Sequence, residues 1–264
     1  MTLSKSWTGV GQTIALAEAT GAIIGASIVS PTGERFSHNG DRRFVAASTV
    51  KIPILIELFR QLDTGEQLLS AEHVLRDADK AKGSGVLAQL HDGIRLDIGD
   101  LAYLMMSISD NTATNILIDR VGADRVNATM RDLGMRGSTL GRKMHGRHVV
   151  HGEQENWALP NDYSMVMAAL LGGRAASPAA CERMLALMEK QQNDRRIARH
   201  LPRDGRPRWG SKTGSLPSVV NDVGFIMTAK GALILSVFCE GPIDAHTGEQ
   251  FIGDIVKAAL DRQL

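Results

Sequence analysis

Apolar residues along this chain follow two different periods. Near the start, Ala22–Ser30 (AIIGASIVS) is a strand-length run of branched and small residues. Pro31-Thr32-Gly33 turns it, and 34–38 returns as a second strand before Asn39-Gly40-Asp41. From about residue 48 the spacing becomes helical. Helices are predicted over 48–62 (stopped by Asp63-Thr64-Gly65), 97–106, 111–121 (closed by Gly122), 123–133 (closed by Gly134), 161–171 (opened by Pro160) and 177–191. After Arg199 the strand period returns over 208–216, 219–228 and 232–238, with Lys230-Gly231 as a turn. A helix over 4–19 precedes all of this, and one over 247–260 closes the chain.

Strands at both ends with helices between them imply an α+β fold: an antiparallel sheet of about five strands drawn from both termini and flanked by the terminal helices. An all-helical domain, 45–195, is expected to be inserted into a discontinuous α/β domain, 1–44 with 196–264. The seam between them is the expected active-site cleft. Two stretches lack either period. Gly83-Ser84-Gly85 reads as a connector, the alternative being a loop held close to another element. Residues 138–155 form a long basic loop, and loops of that length are often functional.

Composition narrows the function. The chain has 264 residues, 43% hydrophobic and 22% charged, with a formal net charge of +1, which gives no argument for nucleic acid or an anionic membrane as partner. No apolar run has the length of a membrane span. Lys5 gives only a thin basic region and Glu18 interrupts the apolar stretch after it, so the N-terminus does not read as an export signal. As written the chain is expected to start in the cytoplasm, or to be exported if a leader was removed. Cys181 and Cys239 stand far apart in no metal-like spacing and read as buried thiols.

Ser48-Thr49-Val50-Lys51 stands at the head of the apolar run Ile52–Leu58. A serine and a lysine three apart share one helix face, so a neutral amine is placed to take the hydroxyl proton. A helix starting near Ser48 would also aim unpaired backbone N–H groups at a developing oxyanion. Those are the parts of an activated nucleophile. Ser109-Asp110-Asn111 and Lys212-Thr213-Gly214 follow in that order. Singly, one reads as a helix N-cap and the other as a strand end; together with the tetrad they form a set with a known mechanism.

With these motifs the chain resembles the serine β-lactamase and penicillin-binding superfamily, closest to its class A. Ser109–Gly134 (SDNTATNILIDRVGADRVNATMRDLG) and Trp209–Gly224 (WGSKTGSLPSVVNDVG) are similar to that family throughout, and the likeness runs from about residue 5 to the end apart from the middle loop. The resemblance implies that Ser48 is acylated, that Lys51 is the base, that Ser109 relays a proton to the leaving nitrogen and that Lys212 tunes the field. It further implies that Asn111 holds a substrate amide, that Thr213 and Ser215 bind the substrate carboxylate, and that the Ser48 and Ser215 N–H groups form the oxyanion hole. Arg196 reads either as a further carboxylate ligand or as a solvated helix charge. The implied activity is β-lactam hydrolysis by a monomer acting on a small molecule. A D-alanyl carboxypeptidase, an esterase or a slowly deacylating binding protein would use the same machinery.

The chain departs from the family in one place. Class A enzymes carry Glu-x-x-Leu-Asn in the loop before the helix that begins here near Pro160, and Gly141–Leu159 (GRKMHGRHVVHGEQENWAL) contains no such sequence. Lys143 and Met144 occupy roughly that stretch. Glu155, or else Glu153, is the candidate deacylation base, the alternatives being Lys51 in both half-reactions or slow turnover. Ser211 stands where an acidic residue is common. His145, His148 and His151 recur every third residue, but a catalytic zinc needs ligands fixed by a helix or strand, so they read as a solvated or substrate-lining loop. Neither a metal nor a cofactor is expected.

Overall fold

The computed structural model describes residues 7–262. Ser4–Ser6, the start of the first predicted helix, lie outside the described residues. In chain order the elements are α1 (Thr8–Glu18), β1 (Ile23–Val29), β2 (Arg35–His38), β3 (Phe44–Val45), α2 (Lys51–Asp63), β4 (Glu72–Val74), β5 (Arg95–Asp97) and α3 (Ile98–Ser107). They continue with α4 (Asn111–Val121), α5 (Ala123–Asp132), β6 (Trp157–Ala158), α6 (Pro160–Leu171), α7 (Pro178–Met188), β7 (Trp209–Leu216), β8 (Val219–Thr228), β9 (Gly231–Glu240) and α8 (Ala245–Asp261).

The main sheet has five antiparallel strands in the order β2-β1-β9-β8-β7. Each central strand buries both faces. One face, with Ile24, Ile226 and Leu235, packs under α1 and α8 through Ile14, Ile252 and Ile255. The other, with Val223, Phe225 and Phe238, is continuous with the interior of the helical lobe. Helix α6 bridges the two: the Tyr163 ring lies 5.7 Å from that of Phe238, and Phe44 lies 5.8 Å from it on the other side. Burying such an aromatic side chain contributes about 1.5–3 kcal/mol.

Helix α2 runs through the middle of the lobe and is buried on nearly every side. Besides Lys51, its buried polar residues are Glu57 and Gln61, both satisfied within the lobe. Glu57 accepts from Gln61 Nε2 at 2.7 Å and Thr129 Oγ1 at 2.6 Å, and Arg125 pairs with it at 3.0 Å. Pro53 is the third residue of α2, within the first turn, where a missing N–H costs little.

Three local expectations need correction. The α-helix begins at Lys51, not Ser48, because a 3₁₀ turn over Ala47–Val50 precedes it. Two short ladders, β3 with β6 and β4 with β5, were not foreseen: strands of two or three residues show no alternation. The segment at Gly83 is a held loop and not a free connector, as its contacts below show.

Candidate active site

Ser48 sits in the 3₁₀ turn between the sheet edge and the helical lobe. The turn is clamped from both sides. The Thr49 N–H and hydroxyl donate to Ala46 O at 3.1 and 2.8 Å, and Asn221 Nδ2 reaches from β8 to Val45 O at 2.8 Å and Ala46 O at 3.3 Å. Strand β7 lies hard against it: a Cβ on Gly214 would stand 2.8 Å from Ala46 O, so only glycine permits this approach. Ala47, beside the serine, has φ +47°, and Ser109 has φ +61°. Non-glycine residues in that region carry strain, which collects at functional sites.

Lys51 is fully buried. Its Nζ lies 2.7 Å from Ser109 O, 2.9 Å from Ser109 Oγ and 3.0 Å from Asn111 Oδ1. Burial pulls its pKa well below the usual lysine range, and the charge of Lys212 adds to that, against a smaller opposite pull from Asp110. A neutral amine has two N–H groups and one lone pair. It can donate to the two carbonyl-type oxygens while accepting from the Ser109 hydroxyl. No side-chain hydrogen bond within the described residues engages the Ser48 hydroxyl, which leaves it open to a ligand.

Asp110 holds the Ser109 motif in place. Its Oδ1 caps α4 by accepting from Ala113 N at 2.9 Å, and its Oδ2 accepts from Val86 N and Leu87 N at 2.7 and 2.9 Å. The segment is thus an N-cap as well as a site: the cap fixes Ser109 and Asn111 on either side of it, facing Lys51. Asn111 is also tied to the neighbouring loop, its Nδ2 donating to Lys82 O at 2.9 Å and its N–H to Ser84 O at 2.9 Å.

Lys212 projects from β7 and is fully buried, with Nζ 3.0 Å from Thr213 O. Burial pulls its pKa down to about 7, with Asp222 resisting and Arg196 assisting. On the other face of β7 stands Arg196, 3% exposed and outside any helix. The solvated-helix-charge reading is therefore wrong. Arg196 donates to Gly214 O (3.0 Å), Asn221 O (2.7 Å) and Ser215 Oγ (2.7 Å), and pairs with Glu249 at 3.3 Å. Arg196 occupies one lone pair of the Ser215 oxygen, which leaves the hydroxyl proton free to donate to a ligand.

The cleft has two chambers that share Ser48, Ser84 and Ser215. The first, of about 380 Å³, is walled by Gly83, Asn111 and the loop residues Arg142, Met144 and Gly146. The second, of about 520 Å³, is lined by Ser109, Gln191, Asn193 and Thr213. Gln191 also reaches Thr213 Oγ1 at 3.4 Å.

The loop at 141–155 is ordered by its own charges. Glu155 is 7% exposed. It accepts from Arg142 at 3.3 Å and from Asn156 N at 2.8 Å, so its carboxylate is already engaged. Glu153 receives two 2.7 Å bonds from Arg147. Met144, buried at 6% exposure, is fixed by a double bond pattern with Asn115: N–H to Oδ1 at 2.7 Å and Nδ2 to O at 3.0 Å. Sequence reasoning missed Arg142, Asn115 and Asn156. Their signal is a spatial pairing with residues far along the chain, and nothing local carries it.

A serine on a strained turn, in a cleft with two desolvated lysines at the junction of an antiparallel sheet and a helical lobe, fits a serine enzyme that forms an acyl intermediate. The comparisons agree. The model of the beta-lactamase enzyme family matches residues 12–263. The chain belongs to that family. It is 25% identical over 230 residues to beta-lactamase BRO-1 of Moraxella catarrhalis, covering 86% of this chain and 73% of that protein. It is 30% identical over 175 residues to a beta-lactamase of Rhodobacter capsulatus, covering 65% and 59%. Among solved structures it resembles the beta-lactamase of Sphaerobacter thermophilus at 60% identity and TM-score 0.95, over 97% of this chain and 96% of that one. PBP-A shares the fold at 24% identity and TM-score 0.87, over 97% of each chain.

Proposed function

We propose that the protein hydrolyses the β-lactam amide through an acyl-enzyme on Ser48. Neutral Lys51 takes the Ser48 proton as Oγ bonds to the carbonyl carbon. The oxyanion is held by the N–H groups of Ser48 and Ser215; β7 is an edge strand, so alternate N–H groups point away from β8 and are available. The C–N bond then breaks. The leaving nitrogen takes a proton from Ser109, which recovers one from Lys51. Lys212, Thr213 and the free Ser215 hydroxyl proton attract the substrate carboxylate in the second chamber, with Arg196 acting through Ser215. Asn111 takes the acyl amide in the first.

For deacylation the reading favours Lys51 again over Glu155, because Arg142 and the Asn156 N–H occupy that carboxylate. The observation that carries the proposal is the buried Lys51 amine between Ser109 and Asn111, two residues beyond Thr49 on the turn that bears Ser48. Mass spectrometry after mixing with benzylpenicillin tests it. The expected result is transient addition of the drug's mass at Ser48, with release of opened product and no addition to Ser48→Ala. Turnover of simple esters without any penicillin adduct would overturn it.

A second reading, a slowly deacylating β-lactam-binding protein, is favoured by one observation. Met144 faces the first chamber with no free carboxylate beside it. A missing general base slows a step by roughly 10²–10⁴. A persistent adduct would distinguish this reading from rapid turnover.

A further inference from the structure

The first chamber is flanked by two contacts between segments distant in sequence. At its inner edge the 83–85 loop crosses the 141–155 loop glycine on glycine. A Cβ on Gly146 would stand 2.8 Å from Gly83 Cα, and a Cβ on Gly83 would stand 2.9 Å from Gly146 Cα and 2.5 Å from Asn111 Nδ2. Both glycines have positive φ, +105° and +68° for Gly83 and Gly146. At its outer edge His148 Nε2 meets the Pro217 carbonyl, in the turn between β7 and β8, at 2.7 Å. A carbonyl only accepts, so the imidazole carries its proton on Nε2. Leu216 and Pro217 of that turn line the same chamber.

The strap between these two points is stiffened from within. Arg147, next to the histidine, holds Glu153 by two bonds and donates to His148 O at 2.9 Å. Arg142 Nη2 donates to Arg147 O at 2.8 Å. Glu153 Oε2 also accepts from Val150 N at 3.0 Å, which folds the tip back on itself. The loop therefore spans from Gly83 to Pro217 as one braced piece across the side of the chamber bearing Asn111. A volume of about 380 Å³ lies at the low end for small-molecule sites.

We infer that His148 is a specificity-determining residue: its bridge to Pro217 closes the chamber that receives the acyl substituent and restricts the enzyme to β-lactams whose acyl chain is slender next to the amide. This rests on the acylation of Ser48 proposed above. Substrates branched at the atom beside the amide meet the strap; those with a methylene there pass beneath it. His148 touches no reacting atom. It acts by holding the loop against the turn.

The test compares two penams that differ only in this side chain, benzylpenicillin and an ortho-dimethoxybenzoyl penicillin, on the wild type, His148→Ala and His148→Gln. Glutamine keeps a side-chain N–H donor. The readout is the ratio of kcat/KM for the bulky to the slender substrate, or of acylation rates by mass spectrometry if release is slow. Opening the strap is expected to raise this ratio about tenfold in His148→Ala, mainly through KM, and His148→Gln is expected to stay near the wild-type ratio. An unchanged ratio in His148→Ala, with the wild type acylated by benzylpenicillin, overturns the inference and leaves the proposed function standing. Absence of acylation by either penam overturns both.

Discussion

Replacing Lys212 by methionine should make the protein more stable near neutrality, and by an amount that depends on pH. Burial lowers the Lys212 pKa from the usual 10.5 to about 7. In the unfolded chain the amine keeps its ordinary value. Between those limits the unfolded state binds more protons than the folded one, so stability rises with pH. The penalty of the buried ammonium is present in full below about pH 7 and is gone above about pH 10.5. At 1.36 kcal/mol per unit it amounts to ~5 kcal/mol, as an order of magnitude. Lys212 is entirely inaccessible, so solvent screening does not reduce this figure. The substitution also leaves the buried Asp222 with one cation fewer, so the net gain at low pH should be smaller, about 1–3 kcal/mol.

Urea unfolding of wild type and Lys212→Met at about pH 6.5 and pH 9.5 reads the effect, because the titrations of groups not coupled to Lys212 cancel. The stability difference should shift toward the wild type by about 3 kcal/mol between the two conditions. The variant should at the same time lose its capacity to acylate, the usual exchange between stability and a strained site. Equal pH slopes for the two proteins would show that the lysine pays no desolvation cost, and the electrostatic account of the site would fail with it.

Four further outcomes are expected. Lys51→Met should slow acylation by roughly 10²–10⁴, read as adduct formation over time, because among the described residues no other base is joined to Ser109. Glu155→Gln should lower stability by about 3 kcal/mol through the unpaired Arg142, seen as an earlier urea midpoint, and slow adduct release less than tenfold; a loss of release beyond 10² would return Glu155 to the role of base. Met144→Glu should shorten the lifetime of the penicillin adduct about 10²-fold by placing a carboxylate in the first chamber, measured by adduct decay. Cys239, whose thiol burial pushes up to about 12, should resist thiol reagents in the native protein and react only on unfolding.

The five-stranded sheet and the helical lobe were legible because each element carries its own period, and Ser48, Lys51, Ser109 and Lys212 because three short motifs stand in order. What escaped was set by distant contacts. The 3₁₀ turn at Ser48 is imposed by Asn221 reaching across from β8 and by the close passage of Gly214, neither visible beside the tetrad. Arg196 read either as a carboxylate ligand or as a solvated charge; only the fold encloses it between Glu249 and the β7 carbonyl of Gly214. Glu155 stood out as one of two carboxylates in its loop, while its partner Arg142 was unremarkable among many basic residues. The Gly83 loop looked slack because its restraint comes from Gly146.

In the order of the sheet, β1 lies between β2 and β9, and its register with β9 joins Ile23 to Glu240. During synthesis the early hairpin must therefore wait for almost the whole polypeptide before its inner edge is covered. The nascent chain would thus present a bare apolar strand to its surroundings for most of translation, and holding that strand apart from other chains becomes a task for cellular folding helpers. Maturation of this enzyme should be limited by the arrival of its last strand.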